Sequence, residues 1–221
     1  MSITILNTTL RVMEAASYHS MRSLILVSCG LVKLTLSELP SLELIDVRYN
    51  KLETLPSTIK QCPKLRTLRC AHNALRKLPL ELGFLRHLVA IDASFNSLKR
   101  LPASIVKCTS LRSLQVENNW LLELPVDIGL LASLEELKVD TNKLSQLPLS
   151  IAVLARLDEI SFHSNPLLNI PVDFPERASE VREYLGSLQQ DPVPNKTVKL
   201  VIVGQEGVGK TSLLNVRPVG A

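Results

Sequence analysis

The sequence predicts an α/β solenoid: a parallel-sheet horseshoe of stacked short units, a C-terminal helix that closes it, and an incomplete strand–loop–helix segment after that. Three observations carry this reading. Leu42, Leu65, Leu88, Leu111, Leu134 and Leu157 lie 23 residues apart, and each opens the phrase Leu-x-x-Leu-x-Leu-x-x-Asn-x-Leu-x-x-Leu-Pro with only apolar exchanges. A fixed period of that length marks a stack of one supersecondary unit. After Pro171 the apolar spacing turns helical, and a glycine-rich loop follows at 204–211.

Each element of the unit has a physical reason. In Leu68-x-Cys70 two apolar residues flank Arg69, the alternation of a half-buried strand. Stacked units line these strands into one parallel sheet. Asn50, Asn73, Asn96, Asn119, Asn142 and Asn165 sit where the chain turns inward. An amide side chain there offers donors and an acceptor to turn backbone groups that the sheet cannot reach. Pro56, Pro79, Pro102, Pro125, Pro148 and Pro171 remove an N–H and start the outer return. Ile59, Leu82, Ile105, Ile128 and Ile151 are its buried anchors, followed three residues later by Cys62, Leu85, Cys108, Leu131 and Leu154. The phrase resembles the leucine-rich repeat, in which function resides on the surface of the array rather than in a catalytic pocket.

The pattern continues upstream at a 21-residue offset. Met21, Leu24, Leu26, Leu31 and Leu34 match it with Cys29 in the Asn slot, and Ile3, Ile5, Thr8, Leu10 and Met13 repeat it again. The expected array is six regular repeats, one degenerate and one fragmentary, over residues 1–171, with no polar N-terminal cap.

Composition narrows the function classes. The 221 residues are 46% hydrophobic but only 4% aromatic, so the core is aliphatic. A net charge of +4 from 25 basic and 21 acidic residues, interspersed, gives no nucleic-acid footprint. Cys29, Cys62, Cys70 and Cys108 each occupy a packing slot and none has metal-ligand spacing, so reduced core thiols are expected. No signal peptide is evident, no stretch is long enough to span a membrane, and Ser2 is not a myristoylation site. The expected compartment is the cytoplasm.

Residues 172–190 read as a capping helix. Asp173 followed by Glu176 matches a capping box, with Pro175 in the first turn, and Phe174, Ala178, Val181, Leu185 and Leu188 fall at helical spacing across 174–189. A partner-binding helix is the alternative. Residues 191–197, with Pro192 and Pro194, form a linker. Val198–Val203 is a buried-type strand running into Gly204, Gln205, Glu206, Gly207, Val208, Gly209, Lys210, Thr211 and Ser212. This is a Walker A phosphate loop. Gly204 and Gly209 let the backbone curl N–H groups toward phosphates, Lys210 reaches the β/γ-phosphates, and Thr211 holds Mg²⁺.

Repeats, a short helix, a linker and a Ras-like phosphate loop, in that order, resemble the Roco family, which includes the leucine-rich-repeat kinases. The repeat resemblance covers about residues 3–171 and the GTPase resemblance only about 197–215. It implies an intracellular protein–protein interaction scaffold in signalling, or alternatively a GTPase, with or without a kinase, of which this chain is a piece. In a complete domain it implies GTP or GDP with Mg²⁺. The switch threonine, the Asp-x-x-Gly motif and the Asn-Lys-x-Asp guanine motif do not follow before Ala221. Residues 198–221 therefore read as the start of a Ras-like domain, cut short in a truncated or alternatively spliced product or in a partial gene prediction. The chain itself is expected to have no catalytic residue, no cofactor of its own and no useful GTP binding. A structural adaptor with a vestigial phosphate loop is the third reading.

Partner binding is expected on the concave face of the sheet. One column there runs Asp46, Arg69, Asp92, Gln115, Lys138, Ser161, and the next runs Arg48, Ala71, Ser94, Glu117, Asp140, His163. A third begins Tyr49, His72, Phe95. Three ring-bearing residues in succession are a candidate hot spot, with ordinary surface variation as the competing reading. The candidate partner-binding set is Tyr49, His72, Phe95, Arg48, Arg69 and Asp92. His72 and His163 are too many repeats apart to share a metal.

Overall fold

The strands of successive repeats pair at the spacing the phrase requires. The computed structural model describes residues 2–7, 12–15 and 19–190. Its strands are β1 (Ser2–Leu6), β2 (Val12–Ala15), β3 (Ser23–Val27), β4 (Lys33–Leu36), β5 (Leu44–Asp46), β6 (Thr67–Arg69), β7 (Ala90–Asp92), β8 (Ser113–Gln115), β9 (Glu136–Lys138) and β10 (Glu159–Ser161). Among the described residues one α-helix, α1, spans Ala178–Gln190. The main sheet is parallel, eight-stranded, and ordered β1-β3-β5-β6-β7-β8-β9-β10. Its register aligns Ile3, Leu24, Ile45, Leu68, Ile91, Leu114, Leu137 and Ile160 in a single inward row. The 21-residue offset of the first repeats is therefore correct.

The turn after each strand is the most regular feature. The residue just before each Asn slot has φ between 50° and 58°, from Asn7 and Ser28 through Tyr49, His72, Phe95, Asn118 and Thr141 to Ser164. That left-handed step aims the next side chain into the core. Asn119 shows what it does there. Its Oδ1 accepts the Leu98 N–H at 2.9 Å, and its Nδ2 donates to the carbonyls of Ala93 (3.0 Å), Val116 (3.0 Å) and Glu117 (3.2 Å). One side chain thus ties its own turn to the repeat before it. Asn50, Asn73, Asn96, Asn142 and Asn165 repeat these contacts. Cys29 keeps the slot in reduced form, its thiol donating to the Ile5 carbonyl at 3.3 Å.

Regular repeats return through 3₁₀ turns at Ser57–Gln61, Leu80–Phe84, Ala103–Lys107, Ile128–Leu130 and Leu149–Val153. Pro56, Pro79, Pro102 and Pro148 precede four of them with φ near −65°. Neighbouring turns lie very close. A Cβ on Gly83 would sit 2.7 Å from the Ser104 carbonyl oxygen, and one on Gly129 2.3 Å from that of Ser150. The hydroxyls of Ser104 and Ser150 tie the turns together by donating to Leu80 and Val126 carbonyls, each at 2.6 Å.

Two departures from expectation have simple causes. In the first repeats the outer return is a strand pair, β2 with β4, rather than a 3₁₀ turn. These units are two residues shorter, and Lys33-Leu34-Thr35-Leu36 alternates in burial as a strand does. At the other end, the helix begins at Ala178, not at residue 174, and Glu176 does not cap it. Strand β10 is the edge of the sheet, and its neighbours' backbone donors bond to the next repeat: Val116 N–H to Lys138 and Val139 N–H to Ser161. Phe162 has no next repeat, so Glu176 Oε1 accepts its N–H at 2.7 Å. An antiparallel bridge from Arg177 to Glu159 covers the strand itself. Helix α1 then buries Ala178, Val181 and Leu185 in the core, while Leu188, expected on that face, is exposed. Arg182 donates to the Leu154 carbonyl at 2.8 Å.

The core is one continuous aliphatic column from Met21 to Leu185. Leu114, fully buried on the central strand β8, should lose about 2–5 kcal/mol of stability on Leu114→Ala, the usual range for emptying such a site. Urea denaturation checks this, and a loss under about half a kilocalorie would place Leu114 outside the core. Asn119→Ala strands a backbone N–H and three carbonyls of the ladder and should cost at least about 1–3 kcal/mol. Its amide-exchange signature should concentrate at Leu98, not spread along the array.

Candidate partner-binding face

Because strand side chains alternate, every second residue of the sheet faces solvent. The register places Asp46, Arg69, Asp92, Gln115, Lys138 and Ser161 side by side across β5 to β10. The parallel column Leu44, Thr67, Ala90, Ser113, Glu136 and Glu159 lies beside it. The charges in these columns are largely paired with one another. Asp46 is buried and its carboxylate takes the Arg48 guanidinium in a fork, at 2.9 and 2.7 Å, with Arg69 at 3.9 Å. That hydrogen-bonded pairing raises the Arg48 pKa. Glu136 accepts from Ser113, from Gln115 at 3.1 Å and from Lys138 at 2.7 Å, and Lys138 also meets Glu159 at 3.0 Å. Burial disfavours the Glu136 carboxylate, but these donors outweigh it and its pKa is lowered; the same two carboxylates raise that of Lys138.

Tyr49, His72 and Phe95 do not lie on the strands. They occupy the left-handed step at the C-terminal end of β5, β6 and β7, so their rings line the rim beside the sheet's solvent face. The repeat brings them together. Tyr49 and His72 stack with centroids 4.3 Å apart, and His72 and Phe95 at 4.2 Å, both with ring planes within 11°. Adjacent strands lie about 4.7–4.9 Å apart, so one residue type in one slot becomes a ring ladder. Tyr49 is 52% exposed and Phe95 44%. Each aromatic pair is worth about 0.5–1.5 kcal/mol beyond area burial. A positive φ is costly for bulky side chains. The same slot holds Asn118 in the next repeat, a residue that tolerates it well.

Arg48, Arg69 and Asp92 border a shallow depression of about 400 Å³ beside this ladder. Of the sequence-chosen set, the rings therefore cluster, Arg69 and Asp92 are accessible, and Arg48 is held by Asp46. Gly204, Gln205, Glu206, Gly207, Val208, Gly209, Lys210, Thr211 and Ser212 lie outside the described residues. Trp120 is 51% exposed and stands apart from the ring ladder, with Lys143 Nζ 5.1 Å from its ring centroid.

The thiols of Cys29, Cys62, Cys70 and Cys108 are free and buried. Burial pushes the pKa of Cys62 up to about 12 and that of Cys108 to about 11, and raises that of Cys70. None of these three is a thiolate at neutral pH, so none has nucleophilic character. Among the described residues, the sequence reading missed one convergence. Asp140, His163 and Glu176 bring ligating atoms within 4.8 Å of one another. Asp140 and His163 were visible as neighbours in one column, but Glu176 was read as a helix cap.

Glu117 is the one face carboxylate whose charge the structure disfavours most plainly. Burial raises its pKa, as do the charges of Asp92 and Asp140, while a backbone hydrogen bond and Lys138 oppose them. One oxygen, Oε2, is buried without a hydrogen-bond partner. The folded chain holds this proton more tightly than the unfolded chain. Stability therefore falls as pH rises from the ordinary glutamate range through the raised pKa, and the penalty is absent at lower pH. Glu117→Gln should raise the melting temperature at pH 7, and the gain should vanish near pH 4. A variant less stable than the parent at pH 7 would contradict this assignment.

Residues 20–160 match the family described as the leucine-rich repeat region. No curated protein matches the chain. Among solved structures it is similar to YopM, a leucine-rich effector protein from Yersinia pestis, at 29% identity and a TM-score of 0.63, covering 79% of this chain and 52% of that one. YopM from Yersinia enterocolitica is 30% identical over 77% of this chain and 35% of its own, with a TM-score of 0.61. The plant peptide hormone receptor RGFR1, solved in complex with RGF2, is 31% identical over 72% of this chain and 27% of its own, also with a TM-score of 0.61. The chain thus spans about half or less of these proteins' lengths. Among the described residues no helix is long and apolar enough to cross a membrane. The ladder asparagines, the parallel sheet and the family match together establish that the chain belongs to the leucine-rich repeat family.

Proposed function

We propose that this chain is an intracellular, Roco-type interaction scaffold that holds a protein partner on the sheet's solvent face, anchored at the Tyr49–His72–Phe95 ladder. The stack is the observation that carries the reading. Exposed aromatic residues held rigid by stacking lose little entropy on binding, and binding hot spots favour them. The repeat's left-handed step sets the backbone of all three ring residues, so their positions are fixed by the fold before any partner arrives. Charged side chains of the neighbouring columns, Arg69 and Asp92 among them, supply a polar rim. RGFR1, to which the chain is similar, was solved in complex with RGF2, which agrees with a binding role.

Affinity capture followed by titration tests this. Tyr49→Ala with Phe95→Ala should weaken the captured partner by more than about 2 kcal/mol. Lys60→Ala with Lys107→Ala, on exposed positions of the return limb, should change little. Phe95→Asn separates binding from folding. It places a residue tolerant of positive φ in the slot, so melting should shift little while binding falls. The reverse pattern, with the return limb mattering and the rings not, would overturn the assignment.

A second reading, nucleotide binding, rests on Gly204–Thr211 with Lys210 and Thr211 as phosphate and Mg²⁺ contacts. GTP titration in Mg²⁺ compares the chain with Lys210→Ala. Saturable binding that Lys210→Ala abolishes favours this reading; its absence leaves the scaffold.

A further inference from the structure

We propose that Asp140, His163 and Glu176 form a divalent transition-metal site that staples the capping segment to the last repeats. The stacking of the array builds it. Asp140 follows β9 and His163 follows β10 in the same slot of successive repeats, and Glu176 arrives from the capping segment as the next rung. His163 Nδ1 lies 2.7 Å from Glu176 Oε2 and 3.5 Å from Asp140 Oδ1. Donors sharing one zinc ion at about 2.0–2.2 Å stand roughly 3.3 Å apart, between these two distances. Small side-chain shifts therefore seat an ion between the imidazole and the two carboxylates.

The carboxylates are already oriented from behind. The Asp140 carboxylate accepts from Ser161 Oγ and from the His163 backbone N–H at 2.9 Å. Glu176 Oε1 accepts the Phe162 N–H, leaving Oε2 turned to the imidazole. Such outer hydrogen bonds hold ligands in place and tune them.

Charge favours the same occupant. Asp140 and Glu176 set two carboxylates against the one imidazole of His163. Lys138, two residues before Asp140, is engaged by Glu136 and Glu159, and Arg177, next to Glu176, by Glu180. One imidazole with two carboxylates suits zinc or its first-row neighbours better than the all-oxygen preference of Mg²⁺ or Ca²⁺. His163 is 75% exposed at the mouth of a cleft of about 590 Å³, lined also by Phe162, Asn165, Ile170 and Phe174, so an ion can enter.

Calorimetric titration of Zn²⁺ into the full chain tests the site, with Co²⁺ absorption as a second readout. One equivalent should bind, and the melting temperature should rise with Zn²⁺. His163→Ala and Glu176→Gln should each weaken binding by about tenfold or more, whereas His72→Ala should not. Co²⁺ should give ligand-field bands without the intense sulfur charge-transfer band that cysteine ligation produces. Glu176→Gln retains an acceptor for the Phe162 N–H, so it guards against a variant that merely loosens the cap. No binding at millimolar Zn²⁺, binding unchanged in His163→Ala, or a sulfur signature would each overturn the proposal.

Discussion

The structure depends on one interaction, the asparagine ladder. A repeat of this length cannot satisfy its own inner turn, because the strand is three residues long and the chain must bend away at once. The Asn side chain stands in for the missing ladder, giving one acceptor and two donors to backbone groups of two repeats. The bond from Leu98 N–H to Asn119 and the bond from Asn119 to Ala93 O span 21 and 26 residues of sequence. They therefore fix the vertical spacing of the stack as well as the turn. An unsatisfied buried polar group costs about 1–3 kcal/mol, so a slipped repeat is penalised several times over.

That constraint propagates to the surface. Once register is fixed, every slot in the phrase becomes a column, and columns place like residues within contact distance. The ring ladder, the Asp46–Arg48–Arg69 cluster and the Glu136–Lys138–Glu159 chain are all consequences of the same stacking. The left-handed step ahead of each Asn has a second effect. It turns the side chain of that residue to the rim, which is why Tyr49, His72 and Phe95 form an edge rather than a patch on the strands. Chain ends obey the same logic. Where the next repeat is missing, Glu176 supplies the acceptor that a carbonyl supplies elsewhere, and α1 covers the aliphatic column.

Much of this was legible in the sequence. The repeat phrase gave the strand positions, the 21-residue offset upstream, the Asn slots and even Cys29 as their substitute. The three-ring column could be read from spacing alone. Side-chain exchange of partners could not. Arg48 stands in the candidate partner-binding set, but two residues before it sits Asp46, whose carboxylate it takes. Glu176 looked like half of a capping box because Asp173 and Glu176 have the right spacing. It was claimed instead by the edge of the sheet, a demand visible only once β10 is known to be last. The outer strands β2 and β4 were missed for a similar reason: two residues fewer in the return limb decide between a strand and a 3₁₀ turn.

The most direct measurement of the ladder's role is residue-resolved amide hydrogen exchange. The backbone N–H groups of Leu52, Leu75, Leu98, Leu121 and Leu144 lie outside the strands, and each donates to the Oδ1 of the Asn in the following repeat. If the ladder fixes the register, these five should exchange as slowly as Leu68 and Leu114 within the sheet. Exchange as fast as that of exposed loop amides would show that the asparagines decorate the turn and that something else holds the stack.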